Sequence, residues 1–178
     1  VSRFKLIYAG AQKNAGPAGV TLVIIDKSWM AKAREDIPAI WSYGIHAAKG
    51  SMYNTPPTFP IYVVGLVTQW LDRQGGVPAI ASRNEQKASL IYEAIDSSNV
   101  WVQAVTVPEH RSRMNVVWRT TDPDLAPRFV SEALAAGFSG LKGHRLVGGL
   151  RASIYNAMPL EGVERLVDFM ADFARRSG

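Results

Sequence analysis

Apolar and polar positions alternate between two rhythms along this chain. Lys5 to Ala9 and Val20 to Ile25 are short, uninterrupted apolar runs, the second rich in β-branched residues, and both read as buried strands. Between them lies Gly10–Gly19, with glycines at 10, 16 and 19 and Pro17, a connection of permissive backbone that places Lys13 at the tip of a hairpin. Ser28 is the expected cap of a short helix that ends before Pro38. Residues 38–58 show no periodicity and read as a long irregular loop.

The rhythm then turns helical. Pro60 opens an apolar helix through Leu71, and Gly75-Gly76 stops it. A second helix runs from about Pro78 to Ser97, with its polar middle, SRNEQK, expected in solvent. Val100–Val107 and Met114–Arg119 read as strands. Asp122 is the expected N-cap of the next helix, with Pro123 at its first position. Leu150–Tyr155 is a further strand, and Leu160–Arg175 closes the chain as an amphipathic helix. The order is β-β-(α)-loop-α-α-β-β-α-β-α. The later part, with three strands and three helices, suits a two-layer α+β domain.

Composition narrows the classes. The 178 residues are 47% hydrophobic and 20% charged, within the globular range. No window approaches the ~20 apolar residues of a membrane-spanning helix. There is no cysteine, which excludes disulfides, thiolate metal sites and a cysteine nucleophile. The net charge of +5 fits anionic partners, phosphorylated small molecules among them. No run of like charges marks a nucleic-acid tail. The start at Val1, close to an apolar run, reads as the middle of a larger protein.

Three constellations carry candidate chemistry. Lys13 is flanked by the amides Gln12 and Asn14 and by glycines that admit a ligand to the backbone. A lysine that forms a Schiff base must be held rigidly and partly desolvated; a lone loop lysine is otherwise a solvated charge. Lys142-Gly143-His144-Arg145 precedes Arg151 across the Gly148-Gly149 break, so two guanidiniums stand ready for carboxylate or phosphate. The same residues also read as a basic surface loop. Asn54-Thr55 on a proline-braced loop suits a phosphate contact or a plain turn. Arg111-Ser112-Arg113 reads as solvated, and Asp26 and His46 read as ordinary loop residues. No paired carboxylates, two-histidine metal spacing or nucleophilic serine motif is present.

Taken together, YAGAQKNAGPAG (8–19), NTPPT (54–58), RSRMNV (111–116) and KGHRLVGGLRASIYNAMPLEGV (142–163) resemble the C-terminal half of the phosphoserine aminotransferases. These are class V enzymes dependent on pyridoxal 5'-phosphate. The resemblance runs from Lys5 to the last helix. It implies an α/β fold, with residues 1–76 the end of a large cofactor-binding domain built on a mostly parallel sheet, and 77–178 a small α+β domain.

The same resemblance implies roles. Lys13 would be the catalytic lysine that carries the cofactor, and Gln12 a contact to the cofactor phosphate. Asn54 and Thr55 would reach that phosphate from the neighbouring subunit of a homodimer. His144 and Arg145 would bind the substrate phosphate, and Arg151 the α-carboxylate. The implied reaction moves the amino group of L-glutamate to 3-phosphohydroxypyruvate, giving O-phospho-L-serine and 2-oxoglutarate in a cytoplasmic pathway. A phosphorylated four-carbon keto acid of pyridoxine synthesis is a further substrate of the family. Neither nucleic acid nor membrane is an expected partner. The family's N-terminal half supplies the acid that pairs with the pyridine nitrogen, so the 178-residue chain alone is expected to be inactive. The competing readings are a class V aminotransferase for unphosphorylated substrates and a non-catalytic module.

Overall fold

The computed structural model describes Ser2–Gly178; Val1, the first residue of the expected 1–76 domain, lies outside the described residues. The chain divides into two compact units, one ending at Arg73 and the other spanning Gln74–Gly178. Both are mixed α/β.

In the first unit β1 (Leu6–Gly10) and β2 (Thr21–Ile25) pair antiparallel, from Leu6 opposite Ile25 to Gly10 opposite Thr21. The Ala11 amide donates to the Val20 carbonyl at 2.9 Å and closes the hairpin around the Lys13 loop. The strands form where the apolar runs predict them, but they are not buried: Tyr8 is 73% exposed, and Leu22, Val23 and Ile24 are also exposed. Two strands pair only with each other, so nothing in their own sheet covers them.

Asp26, not Ser28, caps α1 (Lys27–Met30): its carboxylate accepts from the Ser28 and Trp29 amides at 2.8 and 3.2 Å. It also takes Lys5 Nζ at 2.6 Å, and that ammonium holds its carboxyl well below the usual range. Asp26 is therefore no ordinary loop residue. The expected irregular stretch holds a 3-10 turn, Ala39–Trp41, and α2 (Tyr43–Ala48), capped by Ser42, whose Oγ accepts from the Ile45 amide. His46 lies in that helix with Nε2 2.7 Å from the Ile40 carbonyl oxygen. Next, α3 (Thr58–Arg73) begins two residues before Pro60, which its first turn tolerates because the missing N–H has no intrahelical acceptor there.

The second unit is a sheet with helices on one face. Gly75, at φ 94°, breaks the chain before α4 (Gly76–Asp96). Then come β3 (Trp101–Gln103), β4 (Asn115–Thr120), α5 (Leu125–Ala135), β5 (Leu150–Ser153) and α6 (Leu160–Ser177). The sheet order is β3-β4-β5, antiparallel throughout, with Val117 opposite Arg151 and Val116 opposite Ala152. Pairing predicted to Val107 stops at Gln103, and a 3-10 turn, Pro108–His110, follows. Asp122 does not cap α5. Its side chain folds onto the Asp124 amide at 2.9 Å, and Pro123 stays in a turn ahead of the helix.

Alternation sends Val116, Trp118, Leu150 and Ala152 into the core. There they meet Ile91 and Ile95 of α4, Phe129 of α5, and Met170 and Phe173 of α6. Phe129 stands edge-on to Trp101 and Phe173 at 5.0 and 5.1 Å between ring centres. The SRNEQK stretch is not all in solvent: Asn84 and Lys87 are buried. Arg111 is not solvated either. Its side chain is 15% exposed, pairs with Asp96 at 2.7 Å and lies 5.1 Å from the centre of the Tyr92 ring.

Candidate active site

The Lys13 loop is shaped by glycine. A Cβ on Gly16 would stand 2.7 Å from Val64 Cγ2, so the loop touches α3 through bare backbone. The Lys13 amide turns back onto the Ala11 carbonyl at 2.6 Å, while Gln12 and Lys13 are exposed at the tip. No acidic residue occurs between Gln12 and Gly19. The loop thus offers an amine and an amide donor with no neighbouring carboxylate in it, a donor set that fits a phosphorylated aldehyde.

Asn54 and Thr55 are exposed in the loop between α2 and α3. That loop follows Ser51, at φ 65° the one non-glycine with positive φ among the described residues. Pro56 and Pro57 stiffen it up to α3.

In the second unit, residues 141–151 form a hairpin whose second arm is β5. The Lys142–Leu150 bridge and the Arg151 amide donating to the Leu141 carbonyl at 2.9 Å pair its arms. Gly143 N–H donates to the Gly149 carbonyl at 2.9 Å at its neck. The tip is a turn in which the His144 carbonyl accepts from the Val147 and Gly148 amides. His144 and Arg145 are exposed on it, beside Leu146, 83% exposed.

Arg151 differs in kind. It sits inside β5, and its Nε is buried with no hydrogen-bond partner among the described residues. A buried unpaired donor is costly unless something is to be bound there. It lines a cavity of about 440 Å³ with Ser139, Gly140, Ser153, Met158 and Arg165. Arg165 is a cation that the sequence reading passed over; its spacing on the polar side of an amphipathic helix gave no signal. The hairpin therefore carries the exposed His144-Arg145 pair at its tip and the recessed Arg151 in its stem. Lys13 and Gln12 share one loop of the first unit, and Asn54 and Thr55 share another. Among the described residues no helix is long and apolar enough to cross a membrane, and no cluster of His, Asp or Glu could hold a metal.

Known proteins match over the whole chain. A phosphoserine aminotransferase of Chromobacterium violaceum is 56% identical over 178 residues, all of this chain and 49% of that protein. The solved phosphoserine aminotransferase from Bacillus circulans subsp. alkalophilus superposes with a TM-score of 0.95 at 46% identity, over 99% of this chain and 49% of that one. The PLP-bound phosphoserine aminotransferase from Trichomonas vaginalis gives a TM-score of 0.88 at 40% identity, over 96% of this chain and 48% of that one. The chain thus spans about half the length of the relatives it matches. The class V aminotransferase family model matches residues 1–166. With the matching motifs, the mixed α/β fold and the lysine and arginine hairpins in place, the chain belongs to the class V aminotransferases.

Proposed function

We propose that this chain is the C-terminal half of a phosphoserine aminotransferase, with L-glutamate and 3-phosphohydroxypyruvate as substrates and O-phospho-L-serine and 2-oxoglutarate as products. The observation that carries this reading is the hairpin with an exposed His144-Arg145 pair at its tip and the recessed, unpartnered Arg151 Nε in its stem. A substrate with a phosphate at one end and an α-carboxylate at the other needs two anion clamps, and two separate guanidiniums supply them.

The unit ending at Arg73 is then the end of the cofactor-binding domain, and Gln74–Gly178 the small domain. Pyridoxal phosphate, when bound, supplies the electron sink for the bond broken at the substrate α-carbon. Lys13 would hold it covalently, with Gln12 on its phosphate. Asn54 and Thr55 would reach that phosphate in a neighbouring subunit, which makes the assembly a homodimer. Lys13 Nζ would move the proton at the substrate α-carbon. Arg151 orients the α-carboxylate, and His144 and Arg145 hold the distal phosphate. The reaction proceeds in the cytoplasm. The isolated 178-residue chain, lacking the partner for the pyridine nitrogen, turns nothing over.

The test joins this chain to the N-terminal half of the Chromobacterium violaceum relative and compares substrates. Arg145→Ala raises the KM for O-phospho-L-serine by roughly tenfold or more, the scale of a lost charge-assisted hydrogen bond, and leaves that for L-glutamate unchanged. Equal effects on both would favour a class V enzyme for unphosphorylated substrates. Turnover by the isolated chain would refute the need for the N-terminal half.

A further inference from the structure

Lys87 is 0% exposed in the middle of α4, and it has no ion pair among the described residues. Its Nζ donates to three carbonyl oxygens, those of Ile154 at 3.2 Å, Tyr155 at 2.9 Å and Met158 at 3.0 Å. An ammonium has three N–H donors and no acceptor, so all its capacity is used on one short turn. Three residues earlier, Asn84 is buried on the same stripe, and its amide donates to Asn156 Oδ1 at 2.8 Å. Both contacts go to residues 154–158, the segment between β5 and α6.

Burying a cation is costly, and a leucine or methionine at this position would fill the core without that cost. What the lysine holds must account for its presence. The segment it holds begins three residues after Arg151. Upstream, the Arg151 amide is fixed to Leu141, and its strand is paired to β4 with Val117 opposite. Downstream, β5 ends at Ser153; the Ile154 amide still donates to the Met114 carbonyl and the Met158 amide to the Tyr155 carbonyl, and Lys87 adds a side-chain hold on the carbonyls of Ile154, Tyr155 and Met158. A slip of one residue in β5 would turn Arg151 onto the face that Leu150 and Ala152 bury in the core, because side chains alternate along a strand.

We propose that Lys87, assisted by Asn84, is a positioning residue for Arg151: it pins the turn that leaves β5 and so sets where the carboxylate clamp stands. The inference rests on the reading of Arg151 as that clamp. It predicts that losing Lys87 weakens every substrate bearing an α-carboxylate, whichever half-reaction it enters.

The test uses the same joined enzyme. Lys87→Met raises the KM for both L-glutamate and O-phospho-L-serine roughly tenfold while kcat stays within about twofold, the pattern of lost uniform binding. Arg151→Gln raises both further, and adding Lys87→Met to Arg151→Gln raises neither again, since residues acting through one another are non-additive. A Lys87→Met enzyme with a lowered Tm and unchanged KM values would overturn the proposal and leave Lys87 as packing. Unchanged KM values in Arg151→Gln would instead overturn the clamp itself. Should Lys87→Met not fold, Asn84→Ala removes the amide that holds Asn156 and leaves the lysine in place. A smaller rise in both KM values supports the proposal there, and no rise overturns it.

Discussion

The amide of Gly143 and the carbonyl of Gly149 close the neck of the hairpin that bears His144 and Arg145, 2.9 Å apart. A Cβ on Gly143 would lie 2.0 Å from the Gly148 carbonyl oxygen and 2.6 Å from that of Gly149. Backbone cannot yield as a flexible side chain does. Gly143→Ala should therefore destabilise the second unit by about 1–3 kcal/mol, the range for forced overpacking. Gly148→Ala meets no atom within 4 Å but sits at φ 73°, so its cost is conformational, about 1–2 kcal/mol. Urea unfolding followed by tryptophan fluorescence measures both. Only Gly143→Ala should also weaken phosphate binding in the joined enzyme.

Gly16 and Val64 make a similar close contact under the Lys13 loop. Gly16→Ala pushes the loop off α3, and Val64→Ala removes the methyl that obstructs it. The double variant should regain much of what Gly16→Ala loses, because contacting residues couple. Strict additivity in reactivity of Lys13 toward pyridoxal phosphate would show that the contact does not shape the loop.

Phe129 is fully buried and touches Trp101, Trp118, Phe169 and Phe173. Phe129→Ala should cost about 3–5 kcal/mol. The loss should register in the fluorescence of Trp101 and Trp118 as the second unit unfolds. Phe138→Ala, at the margin of the cluster, should cost less.

Asp96 sits against Arg111, whose guanidinium holds its carboxyl below the ordinary value of 3.8 despite an opposing desolvation. A depressed folded pKa gives stability that is fully present above the unfolded pKa and lost as pH falls through the folded one. The share of the second unit's stability that this pair contributes should be fully present above about pH 4 and be lost below it. Asp96→Asn should flatten that acid limb. An unchanged limb in the variant would remove Asp96 as its source.

Much of the local backbone around the candidate site was legible because turns are set by local residues. Glycines at 143, 148 and 149 marked a loop and a break ahead of a strand, which the structure closes into a hairpin, and the Lys13 loop was framed by two strands that form nearly where the apolar runs lie. Burial was less legible because it is not local. Leu22, Val23 and Ile24 read as core by composition, yet a strand is buried only by what lies over it. Lys87 and Asn84 erred the other way. Residue type said solvent, while position said core: 80, 84, 87, 88, 91 and 95 fall on one helical stripe. On that helix, spacing was the better guide than polarity. Capping at Asp26 instead of Ser28 turned on which side chain reaches the Ser28 and Trp29 amides, below what composition resolves.

The β1–β2 ribbon has a further consequence. Four consecutive exposed residues in β2, Thr21–Ile24, mean that both of its faces are uncovered in this chain by itself, and each outer edge keeps backbone groups unpaired within the sheet. Such ribbons are marginal in water by themselves and invite strand addition from other chains. Aggregation and loss of the Lys13 loop are then a single event. Turbidity on warming should track the loss of the ordered Lys13 loop, and whatever shields the ribbon protects the geometry at its tip.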